Sequence, residues 1–275
     1  MNGLQTLVQE VVTHYRKEGR DFLPWRKTRD PYRILVSEMM LQQTQVERVM
    51  PKYRLFVQTF PTVRALAQAK LSDVLAVWSG LGYNRRAKFL HEAAQKIVQE
   101  YQGTFPREPE MLEQLPGVGQ YTARAIVVFA FDRPEVFIET NIRTVSTHFC
   151  FSDVVEKVSD AEILPLVAAA LPLAEHEGLS PREWYAALMD YGAYLKRNGI
   201  RINSKSKHYA KQSKFSDSNR QLRGAIVREL LQKPATAQAL AKRIKRESAA
   251  IEKQLVRLEK EGMVRRVRTM YHISR

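Results

Sequence analysis

Cysteine is nearly missing: a single residue, Cys150, in a chain of 275. One thiol excludes an intrachain disulfide and any site built from four cysteines. Set between Phe149 and Phe151, it reads as a core residue rather than a nucleophile. Long apolar runs are missing too. None approaches the roughly 18 residues that a membrane span needs. Residues 1–20 read as an amphipathic helix and not as a signal peptide. A soluble, cytoplasmic protein with no membrane contact is expected. Sustained period-two alternation is absent, which argues against an extended sheet. The six histidines form no H-x-x-x-H pair, and neither G-x-S-x-G nor G-x-x-x-x-G-K-[ST] occurs. Zinc-hydrolase, serine-hydrolase and P-loop chemistry are therefore unsupported.

What the chain has is positive charge, unevenly spread. There are 44 Lys and Arg against 29 Asp and Glu, a formal net charge of +15. From residue 196 onward the count is 22 against 6; before it, 22 against 23. A neutral first part with a strongly basic end suggests a polyanionic partner. The length allows one large or two modest domains.

Apolar residues recur at helical spacing through most of the first 195 positions. The periodicity predicts helices over 4–16, 31–50, 51–59, 63–69, 72–78, 85–101, 110–115, 120–131, 141–149, 160–174 and 181–197. Thr62, Ser72 and Ser180 stand where N-caps belong. Residues 204–219, polar and rich in Ser and Lys, read as a linker. Beyond it, helices over 220–232, 236–244 and from 248 to about 261 precede two short strands, 263–267 and 270–273. Three helices and a hairpin make a winged helix-turn-helix. Its second motif helix would present Lys253, Arg257 and Lys260, and its wing Arg265, Arg266 and Arg268, to a DNA groove. A protein-binding winged helix with a solvated basic face is the alternative.

The stretch Leu115-Pro116-Gly117-Val118-Gly119-Gln120-Tyr121-Thr122-Ala123 joins two helices through a tight glycine turn. The second helix opens with backbone N–H groups pointing at that turn, a ready phosphate site. The same Gly-x-Gly resembles the start of a dinucleotide fingerprint. That fingerprint needs a preceding strand and a small third residue, whereas here a helix precedes and Thr122 stands third. A looser echo, Trp78-Ser79-Gly80-Leu81-Gly82-Tyr83 before Arg85-Arg86-Ala87, suggests a second backbone-binding turn.

Two carboxylates stand out. Glu38 lies in a very apolar helix, with Gln42 and Gln45 expected on its face at i+4 and i+7. Burial would raise its pKa, which suits a general acid; an interhelix hydrogen bond is the alternative. Glu139, before the helix at Asn141, is either a helix-start acid or a second catalytic carboxylate. A pair of carboxylates is what glycosidic cleavage needs: one protonates the leaving group, the other supports an oxocarbenium-like centre.

These motifs together resemble a known family. Trp25-Arg26 with Asp30-Pro31-Tyr32, Ser37-Glu38 with Met40 to Val46, Trp78 with Gly80-Leu81-Gly82-Tyr83, the 115–123 hairpin and Asn141 are similar to the MutY-type adenine DNA glycosylases. These belong to the helix-hairpin-helix base-excision superfamily. The resemblance covers residues 5–195. It implies a mainly α, two-lobed glycosylase domain over 1–203, with lobes 26–131 and 1–25 plus 132–203. A linker (204–219) and the winged helix (220–275) follow. It implies a monofunctional enzyme that flips a purine, adenine in a mispair, out of double-stranded DNA and hydrolyses its N-glycosidic bond. Another damaged or mispaired base, or a non-catalytic DNA-binding protein, are the rival readings. By resemblance Glu38 protonates the leaving base. Tyr121, Asn141 and Glu139 surround the catalytic centre, and Trp25 and Arg26 line the base pocket. Gln42, Gln43, Tyr83, Gly117, Gly119 and Gln120 touch the duplex, and the hairpin 115–119 is a candidate site for a monovalent cation. A monomer is expected.

The departures are specific. Glu139 stands where the superfamily has Asp. Tyr121 stands where the lyase branch has Lys, so no Schiff base and no strand cleavage are expected. The cluster loop after Met189-Asp190-Tyr191-Gly192 is replaced by Lys196-Arg197-Asn198-Gly199-Ile200-Arg201, without cysteine, so no iron–sulfur cluster is expected. Ala186 stands where relatives place a purine-reading Glu or Gln. The winged helix takes the place of the family's 8-oxoguanine-reading domain.

Overall fold

The computed structural model describes residues 2–209 and 218–274. In chain order the helices are α1 (Asn2–Glu18), α2 (Pro31–Leu41), α3 (Val46–Thr59), α4 (Val63–Gln68), α5 (Leu71–Trp78), α6 (Arg85–Tyr101) and α7 (Pro109–Leu112). Then come α8 (Gln120–Phe131), α9 (Thr140–Cys150), α10 (Asp160–His176), α11 (Pro181–Arg197), α12 (Asn219–Gln232), α13 (Ala237–Ile244) and α14 (Ser248–Lys260). The strands among the described residues are β1 (Val264–Val267) and β2 (Met270–Ile273), an antiparallel pair with Val264 opposite Ile273.

Local signals explain most boundaries. Ser180 and Glu183 form a reciprocal capping box at the start of α11, and Thr62 accepts from the Ala65 amide at the start of α4. Each such cap is worth about 1 kcal/mol. Ser72 is not a cap. Helix α5 starts at Leu71, with Lys70 as its N-cap, because Leu71, Val74, Leu75 and Trp78 form one buried stripe at i, i+3, i+4 and i+7. The predicted single helix over 31–50 is also wrong. Helix α2 stops at Leu41, Gln43 takes a left-handed φ of 53°, and α3 begins at Val46. Gln42 and Gln45 therefore do not continue the helical face that carries Glu38.

The described residues fall into two compact units. Residues 2–34, 107–114 and 118–209 form the first; residues 35–106, 115–117 and 218–274 form the second. These boundaries differ from those expected: 26–34, 107–114 and 118–131 join the first unit, and 218–274 joins the second.

In the first unit α1, α9, α10 and α11 enclose a core in which Val11, Ile142, Val145, Ile163 and Trp184 have no exposed surface. Burying such a side chain contributes roughly 1.5–3 kcal/mol. Gly192 lets α11 reach α9: a Cβ there would lie 2.5 Å from the Cβ of Asn141. Residues 198–209 occupy the stretch where the resemblance places a cluster loop. Val158 donates to the Lys205 carbonyl, Lys207 donates back to Val158, and Thr144 donates to Asn203 at 2.6 Å. Residues 204–209, expected to be linker, are thus fixed to the first unit. Of the rest of that linker, 210–217 lie outside the described residues.

The second unit has its own core, with Val49, Phe56, Trp78, Leu90, Ala94 and Ile97. Its C-terminal part is a small layer of α12, α13 and α14 closed by the β1–β2 hairpin. Ile226, Leu240, Ile251, Leu255 and Leu258 fill the space between these elements. Thr236 caps α13, and Ala235 exchanges both backbone hydrogen bonds with Tyr271.

Candidate active site and nucleic-acid interface

Glu38 sits in the last turn of α2 and is 6% exposed. One side chain organises the ground around it. Arg86, near the start of α6, is buried, and its Nη1 donates to the carbonyls of Met39 (2.7 Å), Met40 (3.0 Å) and Gln42 (2.6 Å). Its Nη2 donates to the Thr44 hydroxyl at 3.1 Å and to the Gly82 carbonyl at 3.4 Å. The guanidinium also lies over the rings of Trp78 and Tyr83. The last carbonyls of a helix have no partners within it. Arg86 supplies them, ends α2, and ties the turn after Glu38 to the turn that carries Tyr83. Burial lowers its pKa to about 10, so it stays charged at neutral pH. Only the Arg85-Arg86-Ala87 echo drew notice in the sequence; the role of Arg86 did not.

Gln43 and Tyr83, both expected to probe the duplex, have φ values of 53° and 48°. Left-handed backbone at non-glycine residues is uncommon, and it concentrates where function over-determines geometry. Trp78 fixes the second turn by donating to the Gly82 carbonyl at 3.0 Å.

The hairpin glycines differ in kind. Gly117 has φ 76°, and a Cβ there would meet the Phe89 Cβ at 2.7 Å, so both conformation and space demand glycine. Gly119, the N-cap of α8, would carry a Cβ into open space. Nothing within the fold asks for glycine at 119, as expected where a backbone must admit an outside group. Gln120 follows it, exposed, as the first residue of α8.

In the first unit, Tyr121 stands edge-on to Phe137 (5.5 Å between ring centres), which stacks on Tyr185 at 4.1 Å. Tyr185 is anchored by its hydroxyl on the Glu135 carbonyl at 2.6 Å. Glu139 is the N-cap of α9. One carboxylate oxygen accepts from the amides of Asn141 (2.6 Å) and Ile142 (2.9 Å), and the other from the Asn141 side chain at 3.3 Å. Burial pushes its pKa up, while those amides and the charge of Arg143 oppose the rise. Glu139 and Asn141 therefore act as one clamped pair. The structure gives Glu139 a capping role; that role also fixes the direction of a charge, which a catalytic carboxylate requires.

Trp25 is buried in a 3-10 turn (Pro24–Lys27). Beside it, Arg26 is held by a bidentate pair with Asp190 (2.6 and 2.7 Å) and by the Ala186 carbonyl. Arg20 binds the same carboxylate at 2.5 Å. The Arg26 guanidinium is thus engaged in scaffold bonds rather than presented to a base. Burial alone would raise the Asp190 pKa, but Arg26 and Arg20 outweigh it and hold the carboxyl below its ordinary value. Asp190 was invisible as a key residue because its partners lie over 160 positions away.

Lys253, Arg257 and Lys260 are exposed on one face of α14, and Arg265, Arg266 and Arg268 are exposed on the hairpin. Among the described residues no group of three or more His, Cys, Asp or Glu could hold a metal ion. No helix there is long and apolar enough to cross a membrane.

Residues 36–164 match the family model of the HhH-GPD superfamily base excision DNA repair proteins. The chain belongs to the HhH-GPD superfamily. Within it, an adenine DNA glycosylase of Mycolicibacterium smegmatis is 40% identical over 185 residues, covering 67% of this chain and 61% of that protein. The adenine DNA glycosylase of Rattus norvegicus is 45% identical over 143 residues, covering 49% of this chain and 28% of that protein. The chain thus spans less than two thirds of the length of these curated relatives. Among solved structures, a thermostable thymine-DNA glycosylase superposes with a TM-score of 0.62 at 25% identity, over 76% of this chain and 97% of that one. This HhH-GPD chain therefore has a mainly helical glycosylase fold.

Proposed function

We propose that the protein is a monofunctional DNA glycosylase of base excision repair that removes adenine from a mispair in double-stranded DNA. The observation that carries the reading is Glu38. A carboxyl 6% exposed at the end of α2, in a chain similar to adenine DNA glycosylases, is suited to hold a proton for the leaving base. Glu139, fixed by the α9 amides, supports the oxocarbenium-like centre, with Asn141 and Tyr121 beside the sugar. Gln42, Gln43, Tyr83, Gly117, Gly119 and Gln120 hold the distorted duplex, and the 115–119 hairpin takes a phosphate with or without a monovalent cation. Trp25 closes the base pocket, with Arg26 fixing its wall. Tyr121 has no amine for a Schiff base, so the enzyme leaves the strand intact. With Cys150 the one cysteine, it works without an iron–sulfur cluster. The C-terminal layer over 220–275 is a winged helix whose basic residues contact DNA. The protein acts as a cytoplasmic monomer.

A second reading has its own support. The likeness to a thymine-DNA glycosylase covers 97% of that chain, and Ala186 leaves α11 without the expected purine-reading side chain. Mispaired thymine is then the base removed. A panel of duplexes with single mispairs, treated with alkali after incubation, separates the readings. Strand breaks only after alkali at A mispairs support the first, and breaks at T mispairs the second. Tight binding with no breaks at any mispair would leave a DNA-binding protein without catalysis.

A further inference from the structure

The second unit contains a cavity of about 360 Å³ between α6 and α12. Four guanidinium groups line it: Arg85 and Arg86 from α6, Arg220 and Arg223 from α12. Among the described residues the lining holds no carboxylate, and Glu261 pairs with Arg223 from outside it. Arg86 adds a specific signal. It is 8% exposed, it faces the cavity, and its Nε–H meets no acceptor among the described residues. A buried donor left unmatched carries the full cost of its lost hydration.

An independent observation comes from Gly224. It sits in the middle of α12 and lines the cavity. Glycine inside a helix is destabilising relative to alanine. Neither conformation nor crowding asks for it here: its φ is not left-handed, and a Cβ would meet nothing within 4 Å. The missing side chain keeps the space open.

We propose that this cavity is a binding site for one phosphate group of a DNA strand, half of it built by the C-terminal helix α12. Guanidinium donors match phosphate oxygens in planar pairs, and the unmatched Nε–H of Arg86 offers such an oxygen a buried donor. The same cavity is lined by Gln42, Tyr83 and Gly117, so the choice of DNA as the source rests on the glycosylase reading. Arg220 joins the two halves through the Tyr83 hydroxyl and the face of its ring.

The test is the salt dependence of duplex binding by the full chain. Gly224→Leu fills the space without altering charge, and Gly224→Ala serves as the control that strengthens the helix and leaves most of the space. Losing one phosphate contact lowers the slope of log K against log salt by about 0.9. That drop is expected for Gly224→Leu and not for Gly224→Ala. Should Gly224→Leu fail to fold, the Arg220→Gln and Arg223→Gln double variant is expected to show at least the same drop. An unchanged slope in the folded variants would overturn the proposal while leaving the glycosylase reading intact. Protection of the wild type by inorganic phosphate, lost in Gly224→Leu with the duplex slope unchanged, would also overturn it, as a free anion would then be the ligand. No duplex binding by wild type would overturn both readings.

Discussion

Replacing Arg86 by methionine tests how the site is held. The side chain keeps an unbranched stem and loses every donor. Three carbonyls, of Met39, Met40 and Gln42, lose the guanidinium that ends α2. Each buried acceptor left without a partner costs about 1–3 kcal/mol. Two effects reduce the sum: removal of a buried charge recovers its desolvation, and the half-buried Gln42 can turn its carbonyl to water. The net loss is then about 2–4 kcal/mol, which lowers Tm by roughly 5–15 °C in a chain of this size. Arg86→Lys should recover only part, because one ammonium cannot reproduce the planar fork. Thermal unfolding by circular dichroism gives the first number. Single-turnover base release gives the second, and it should fall about a hundredfold or more, since displacement by about 1 Å near a reacting centre has that effect. A Met variant with unchanged Tm and unchanged base release would refute the role given to Arg86.

Other perturbations separate the remaining claims. Glu139→Asp keeps a cap and a charge but shortens the reach, so base release should fall; Glu139→Gln should fall further because the charge at the sugar is gone. Equal single-turnover rates for wild type and both variants would leave Glu139 as a cap only. Asp190→Asn breaks a buried carboxylate from two arginines and should destabilise the fold by about 3–5 kcal/mol. The folded pKa of Asp190 lies below its ordinary value. Its contribution is therefore fully present above the unfolded carboxyl value of about 3.9 and lost as pH falls through the lower folded value. An acid-unfolding profile that is identical for wild type and Asp190→Asn would contradict that. Changing Arg265, Arg266 and Arg268 together to Gln should lower the salt slope of duplex binding by about 2.7 if all three meet phosphates; an unchanged slope removes the hairpin from the interface.

The regular elements were legible because their signals are local. The Ser180–Glu183 box, the stripe in α6 and the turn residues before β2 lie within one or two helical turns of what they specify. Helices over 85–101 and 181–197 therefore stand where their periodicity puts them. The break after Leu41 was not legible. No glycine or proline marks it; a guanidinium from residue 86 does. The same holds for Asp190, whose two arginines arrive from the other end of the chain. Arg26 looked like a pocket residue because the motif around Trp25 carried it, yet only folding revealed the carboxylate that claims it. Of the candidate site, the residue identities were readable, while the contacts that fix their directions were long-range. The placement of α12 beside Tyr83 left no trace in local pattern at all.

The proposed function depends above all on Glu38 as the proton donor to a departing adenine. Its most direct measurement is single-turnover adenine release from a duplex with adenine opposite guanine, by wild type and by Glu38→Gln, alongside duplex binding by both. Release by wild type, release at background for the Gln variant, and similar binding for the two are expected, because the substitution removes the proton and keeps the shape. Equal release rates from the two proteins would contradict it.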